Sequence, residues 1–120
     1  MDFDEARNKH AEWRFKFRSA ITKKETLDAD AIAKDDRCDL GRWLHGEAKA
    51  KYSRLSSYAD CVKTHAHFHI EASKVAKVIN AQKYEEARAL LGIGSGFSTA
   101  SAAIGWALDV LQKEAGSSTG

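Results

Sequence analysis

Four separated residues, His10, Cys38, His65 and His69, have the types and spacing of a metal-ligand set. Three imidazole nitrogens and one thiolate match, in number and in kind, the donors of a tetrahedral zinc site. His65 and His69 are four residues apart, about one helical turn, so a helix presents both rings on one side. Burying two imidazoles without partners costs on the order of a few kcal/mol, and a shared metal removes that cost. We therefore expect a Zn²⁺ site, assembled when the fold brings His10 and Cys38 to this helix.

Cys38 determines the chemistry expected of the site. It precedes a predicted short helix over residues 40–44, whose N–H groups and dipole favour a thiolate, and zinc would complete the deprotonation. Oxidation of the sulfur to sulfenic acid would then release this segment from the metal. We expect Cys38 to be the redox-sensitive ligand. Cys61 lies one turn before His65, and we interpret it as core packing rather than as a ligand or a disulfide partner.

The remaining polar candidates have minor roles in this interpretation. His67 points away from the ligand pair, and His45 ends the short helix, so we expect both to be solvated. The ligand histidines need acceptors for their second ring nitrogens. Asp35, Asp36 and Glu12 are candidates among which the sequence does not choose.

Apolar residues recur at spacings of three and four along most of the chain, which predicts helices. The first helix is predicted over residues 2–24 and the second long helix from residue 56 or 57 to about 82. Shorter helical stretches are predicted over residues 30–34, 40–44 and from 84, and a last helix over 97–114 follows the glycines at 92–96. The inward stripes of the two long helices contain the ligand candidates: Phe3, Ala6, His10, Trp13, Phe17 and Ala20 in the first, and Tyr58, Val62, His65, His69, Ala72, Ala76 and Ile79 in the second.

The fold class that follows is all-α. We expect an antiparallel four-helix bundle with a short helical insertion that carries Cys38. One domain is predicted over residues 1–115, followed by a disordered polar tail at 116–120.

Composition excludes several classes of function. The net charge is +2, with 19 basic and 17 acidic residues interleaved, so we expect neither a nucleic-acid partner nor attraction to an anionic membrane. No apolar run has the length of a membrane span, and the acidic start is unlike a secretory signal. Two cysteines in that context favour a reducing cytoplasm.

An enzyme is not expected. The segment from His65 to His69 lacks the glutamate of a His-Glu-x-x-His metalloprotease helix. Four protein ligands also leave no open position on zinc for a substrate water.

The constellation resembles the chemoreceptor zinc-binding domain, a family of bacterial cytoplasmic sensor modules. In that family a histidine is followed three residues later by an aromatic residue, as His10 and Trp13 are here. A cysteine motif follows and a His-x-x-x-His pair ends the pattern, here Cys38-Asp39-Leu40-Gly41-Arg42-Trp43 and then His65 with His69. The similarity covers nearly the whole chain.

The resemblance implies a homodimer that binds one zinc per subunit through these four residues. It also implies sensing of zinc, or of oxidants such as hypochlorous acid through the zinc-bound cysteine, with a chemoreceptor or diguanylate cyclase module in cis or trans as the output. No output module is present in this sequence. Two alternatives stay open: a structural or dimerisation bundle in which zinc is only a staple, and a haemerythrin-like carrier, which would need further inward histidines and carboxylates.

Overall fold

The computed structural model describes the backbone of residues 1–119 and the side chains of residues 1–116. In this part of the chain the structure is all-helical and has no strand, as the sequence predicts. Seven helices are seen there: α1 Phe3–Lys23, α2 Ala29–Ile32, α3 Asp39–His45, α4 Glu47–Tyr52, α5 Ser56–Asn80, α6 Tyr84–Leu90 and α7 Gly96–Thr119. The backbone of residues 116–119, for which the sequence predicts a disordered tail, continues α7, and residue 120 lies outside the described residues. Disorder of this tail stays a prediction.

Helix α1 begins and ends within one residue of its predicted bounds. The Asp2 side chain accepts a hydrogen bond of 2.8 Å from the Glu5 N–H, and Lys24 ends the helix with a left-handed φ of 55°. Most of the predicted inward stripe is buried, His10 included, while Phe3 and Trp13 are half-buried. His10 therefore faces the core.

Helix α5 is the central element of the fold and packs most extensively against α7. Glu114 of α7 accepts hydrogen bonds from the Ser57 N–H and from the hydroxyls of Ser56 and Ser57, at 2.8–2.9 Å. Farther along, the ring of Phe68 in α5 lies 5.4 Å from that of Phe97 in the first turn of α7. The two helices therefore run in opposite directions, and the late part of α7 caps the start of α5.

Helix α1 also runs opposite to α7. Arg7 forms an ion pair of 2.7 Å with Asp109, and Arg14 donates a hydrogen bond of 3.2 Å to Ser98. The early part of α1 thus contacts the late part of α7, and a later turn of α1 contacts the early part of α7. These contacts place the buried face of α1, with His10, against both α5 and α7.

The insertion between the long helices contains one helix more than predicted. The sequence predicts a helix over 40–44, and the structure has α3 over Asp39–His45 followed at once by α4, with Gly46 between them. Buried Ala48 and half-buried Tyr52, four residues apart, were the signal for α4. This insertion packs against α1 and brings Cys38 inward.

Within the described residues, no helix combines the length and the apolar character needed to cross a membrane.

Candidate metal centre

Two histidines of α5 form the buried half of the centre. His65 and His69 are each 1% exposed, and their Nε2 atoms lie 3.0 Å apart. Burial lowers the pKa of both rings, and the neighbouring His69 contributes to lowering that of His65 to about 3. Near neutral pH both imidazoles are therefore uncharged, the state in which a ring nitrogen can bind a metal.

Cys38 supplies the third donor atom from the turn before α3. Its Sγ lies 3.4 Å from Nε2 of His65 and 3.3 Å from Nε2 of His69. Gly41 permits this approach, because a Cβ built there would lie 1.7 Å from the Asp35 carbonyl oxygen. The segment preceding Cys38 thus packs directly on the first turn of α3, which aims the sulfur at α5.

The tautomer of His69 is fixed by the backbone. Its Nδ1 lies 2.7 Å from the carbonyl oxygen of Ile32, in α2. A carbonyl only accepts, so Nδ1 donates, and in a neutral ring Nε2 keeps its lone pair. This acceptor is none of the carboxylates that the sequence suggested, and no side-chain pattern could have identified a main-chain carbonyl.

The three donor atoms have the mutual spacing of ligands around one small cation. All the ligand atoms of Cys38, His65 and His69 lie within 4.8 Å of one another. Zinc bonds of about 2.0–2.3 Å in a tetrahedron place neighbouring donors about 3.3–3.6 Å apart. The observed separations of 3.0, 3.3 and 3.4 Å come within a few tenths of an ångström of that range. One thiol and two neutral imidazoles also fit zinc by their chemistry.

The protonation of Cys38 differs in one respect from the sequence-based expectation. The Gly41 N–H does donate to Sγ at 3.2 Å, as the start of a helix predicts. Burial is nevertheless the larger effect and raises the pKa of the thiol above its ordinary value. The hydrogen bond from the start of α3 is therefore not enough to deprotonate the Cys38 thiol near neutral pH, and a cation at the centre is needed for that.

His10 lies beside this group without belonging to it. Its ring is 7% exposed and packs edge-on against Phe68, with the ring centroids 4.3 Å apart. Burial lowers its pKa to about 4, and its Nε2 lies 3.1 Å from Oγ of Ser101 in α7. His10 does line the same 320 Å³ cavity as the three donors. Its role as the fourth ligand stays a prediction.

The other candidates lie where the sequence indicates, with one difference. Cys61 is fully buried among core residues, and burial raises its pKa to about 12, so core packing is confirmed. His67 is exposed, as predicted. His45 is exposed too, but its Nε2 is paired with Oδ2 of Asp35 at 2.9 Å, a contact across the insertion that the sequence analysis missed.

The family model described as the chemoreceptor zinc-binding domain matches residues 10–76. The chain belongs to this family. The match covers more than half of the 120 residues and spans all four predicted ligands. The resemblance drawn from the sequence is therefore confirmed. This family consists of regulatory zinc-binding domains and is not a family of enzymes. Comparison with curated proteins and with solved structures gives no match.

Proposed function

We propose that this chain is a cytoplasmic sensory domain that holds one Zn²⁺ through Cys38, His65, His69 and His10. Its signal is zinc availability, oxidants of the hypochlorous acid type, or both, and its output is a chemotaxis or cyclic-di-GMP pathway. The observation that supports this best is the convergence of one sulfur and two imidazole nitrogens to within 3.4 Å of one another. Membership of a zinc-binding regulatory family agrees with it.

The redox step that we propose takes place at the Cys38 sulfur. Bound zinc holds a cysteine ligand as the nucleophilic thiolate. The Cys38 thiolate then gives two electrons to hypochlorous acid, which leaves sulfenic acid on the sulfur and releases chloride. Cys38 is half-buried on the wall of an open cavity, whereas Cys61 is fully buried, so a small oxidant has access to Cys38 first.

The assembly that we propose is an antiparallel four-helix bundle that pairs with a second copy. The opposed directions of α1 and α7, and of α5 and α7, support the bundle. Trp106 on α7 is 71% exposed and Phe15 on α1 is 76% exposed, and the proposed pairing would cover apolar side chains of this kind. A chemoreceptor or diguanylate cyclase module, in cis or in trans, would then read the change in this pairing.

The test is an oxidant titration of the zinc-loaded protein. We expect about one equivalent of hypochlorous acid to release the zinc and a thiol reductant to restore binding, because sulfenic acid is reversible. Cys61→Ser is the matched control and should release zinc at the same dose. Circular dichroism should show the helices retained after release. Zinc that stays bound after Cys38 is oxidised, or a loss of all helical signal together with the metal, would favour the staple instead.

A further inference from the structure

Helix α7 contacts His10, the predicted fourth ligand, through the side chain of Ser101. Nε2 of His10 lies 3.1 Å from Oγ of Ser101, which is half-buried on α7. Ser101 lies outside residues 10–76, the part that matches the family model. Its position relative to the centre is therefore a feature of this chain that the family match does not describe.

The chemistry of imidazole gives this contact a direction. A neutral ring has one N–H and one lone pair, so a ring that binds a metal by one nitrogen carries its proton on the other, where an acceptor can fix the tautomer. His69 meets this condition, because its Nδ1 donates to the Ile32 carbonyl and its Nε2 faces Cys38. His65 has no such acceptor among the described residues, because its Nδ1 is buried without a hydrogen-bond partner. When Nε2–H of His10 donates to Ser101, the lone pair stays on Nδ1, which is then the nitrogen left for a metal.

We propose that Ser101 is a positioning residue for the metal centre. Its hydroxyl accepts the hydrogen bond from Nε2–H of His10, fixes the tautomer in which Nδ1 is the metal-binding nitrogen, and ties α7 to the centre. This inference rests on the proposed function. The opposite role is that of a competitor, in which the Ser101 hydroxyl donates to Nε2 and must be displaced before His10 can bind a metal.

Zinc affinity distinguishes the two roles. By competition with a chelator, Ser101→Ala should bind zinc about 10–100-fold more weakly than the wild type, the usual effect of losing the partner of a ligand histidine. Ser101→Thr keeps a hydroxyl and should restore most of the affinity. Ser98→Ala is the matched control, because Ser98 lies one turn earlier on α7 and bonds Arg14 instead. Unchanged or tighter binding by Ser101→Ala would overturn the proposal.

Nitrogen-15 NMR of the histidine rings gives an independent readout. In the zinc-loaded wild type we expect His10 with a protonated Nε2 and a metal-bound Nδ1, and we expect this pattern to be lost in Ser101→Ala. A metal-bound Nε2 in the wild type would contradict the inference. Zinc binding by the wild type distinguishes failure of the proposed function from failure of the role of Ser101. If the wild type binds no zinc, the proposed function fails. If the wild type binds zinc and Ser101→Ala binds it with the same affinity, only the role of Ser101 fails.

Discussion

At the scale of single residues, the centre combines one thiol that must lose a proton with imidazoles that are already neutral. Burial raises the pKa of Cys38 and lowers that of each ligand histidine. Near neutral pH the binding of a cation therefore has to displace a proton from the sulfur alone. We therefore propose that both metal affinity and sensitivity to oxidants depend on Cys38.

Substitution of the two cysteines should separate the ligand from the core residue. Cys38→Ser replaces a thiolate donor by a neutral hydroxyl, so we expect zinc affinity to fall by more than about 100-fold. This is more than the loss caused by removing a side chain that only hydrogen-bonds to a metal ligand. Cys61→Ser should leave affinity near the wild-type value and mainly lower the melting temperature, because it places a hydroxyl in a fully buried apolar position. Chelator competition measures the first effect and thermal unfolding the second. Equal loss of zinc in both variants would show that the ligand is misassigned.

The zinc-free protein should lose stability as the pH falls below neutrality. Burial lowers the pKa of His10 to about 4 and that of His65 to about 3, from 6.5 for an unperturbed histidine. Below pH 6.5 the unfolded chain therefore binds more protons than the folded chain, so acid favours unfolding. Each unit by which burial lowers the pKa of a ring removes up to about 1.4 kcal/mol from the free energy of unfolding as the pH falls.

Melting temperatures of the zinc-free protein between about pH 7 and pH 5 check this, because carboxylates stay mostly ionised in that window. We expect a fall of several degrees. His67→Gln, at an exposed position, should show the same fall, whereas His65→Gln should show a smaller one. A melting temperature that does not change over this window would contradict the burial of neutral rings.

The sequence predicted the convergence of Cys38, His65 and His69 better than it predicted the hydrogen-bond partners around them. His65 and His69 were identified because an i, i+4 pair on an apolar stripe has few explanations besides a shared ligand. The Ile32 carbonyl was missed because a main-chain acceptor leaves no trace in the residue types. Ser101 was missed as a partner of His10 because it lies 91 positions away on another helix, and only the packing of α1 on α7 brings them together.

At the scale of elements, the segment from residue 35 to α3 is the weakest support of the centre. Helices α1 and α5 are 21 and 25 residues long and bury continuous apolar stripes, whereas α3 has only seven residues. Helices α1 and α5 were predictable to within about two residues because their periodicity is sustained over several turns. Helix α7, predicted over residues 97–114, continues to Thr119, five residues past the predicted end. α4 was not predicted because it follows α3 directly and, unlike α2 and α3, has no side-chain cap at its start.

Two glycines provide a matched test of this segment. Gly41→Ala would place a methyl group 1.7 Å from the Asp35 carbonyl oxygen, so the turn that carries Cys38 must move. We expect at least about a tenfold loss of zinc affinity, as for other changes that misplace a ligand. Gly105→Ala, in α7, meets nothing within 4 Å and should leave zinc binding unchanged while stabilising the helix by up to about 1 kcal/mol. Tight zinc binding by Gly41→Ala would show that the close packing at Gly41 is not required.

At the scale of the whole molecule, a sensor and a structural zinc site differ in how much of the fold opens when the metal is lost. The histidine ligands lie on helices that bury their own apolar faces, so these helices should persist when the sulfur is lost. Local opening begins where few buried contacts oppose it, which here is the segment over residues 35–44.

Hydrogen exchange before and after a stoichiometric dose of hypochlorous acid measures this directly. We expect faster exchange confined to residues 35–44, with α1 and α5 still protected. Cys61→Ser should behave as the wild type does. Uniform loss of protection in the helices of His10 and His65 would leave only a structural role for the metal.

We propose that one zinc ion is held by one sulfur and by histidine nitrogens of this chain. X-ray absorption spectroscopy at the zinc edge, on protein purified without added metal, shows these neighbours of the ion. We expect one zinc per chain, with one sulfur neighbour at about 2.3 Å and three nitrogen neighbours at about 2.0–2.1 Å, and loss of the sulfur shell in Cys38→Ser. A protein without zinc, or zinc without a sulfur neighbour in the wild type, would contradict it.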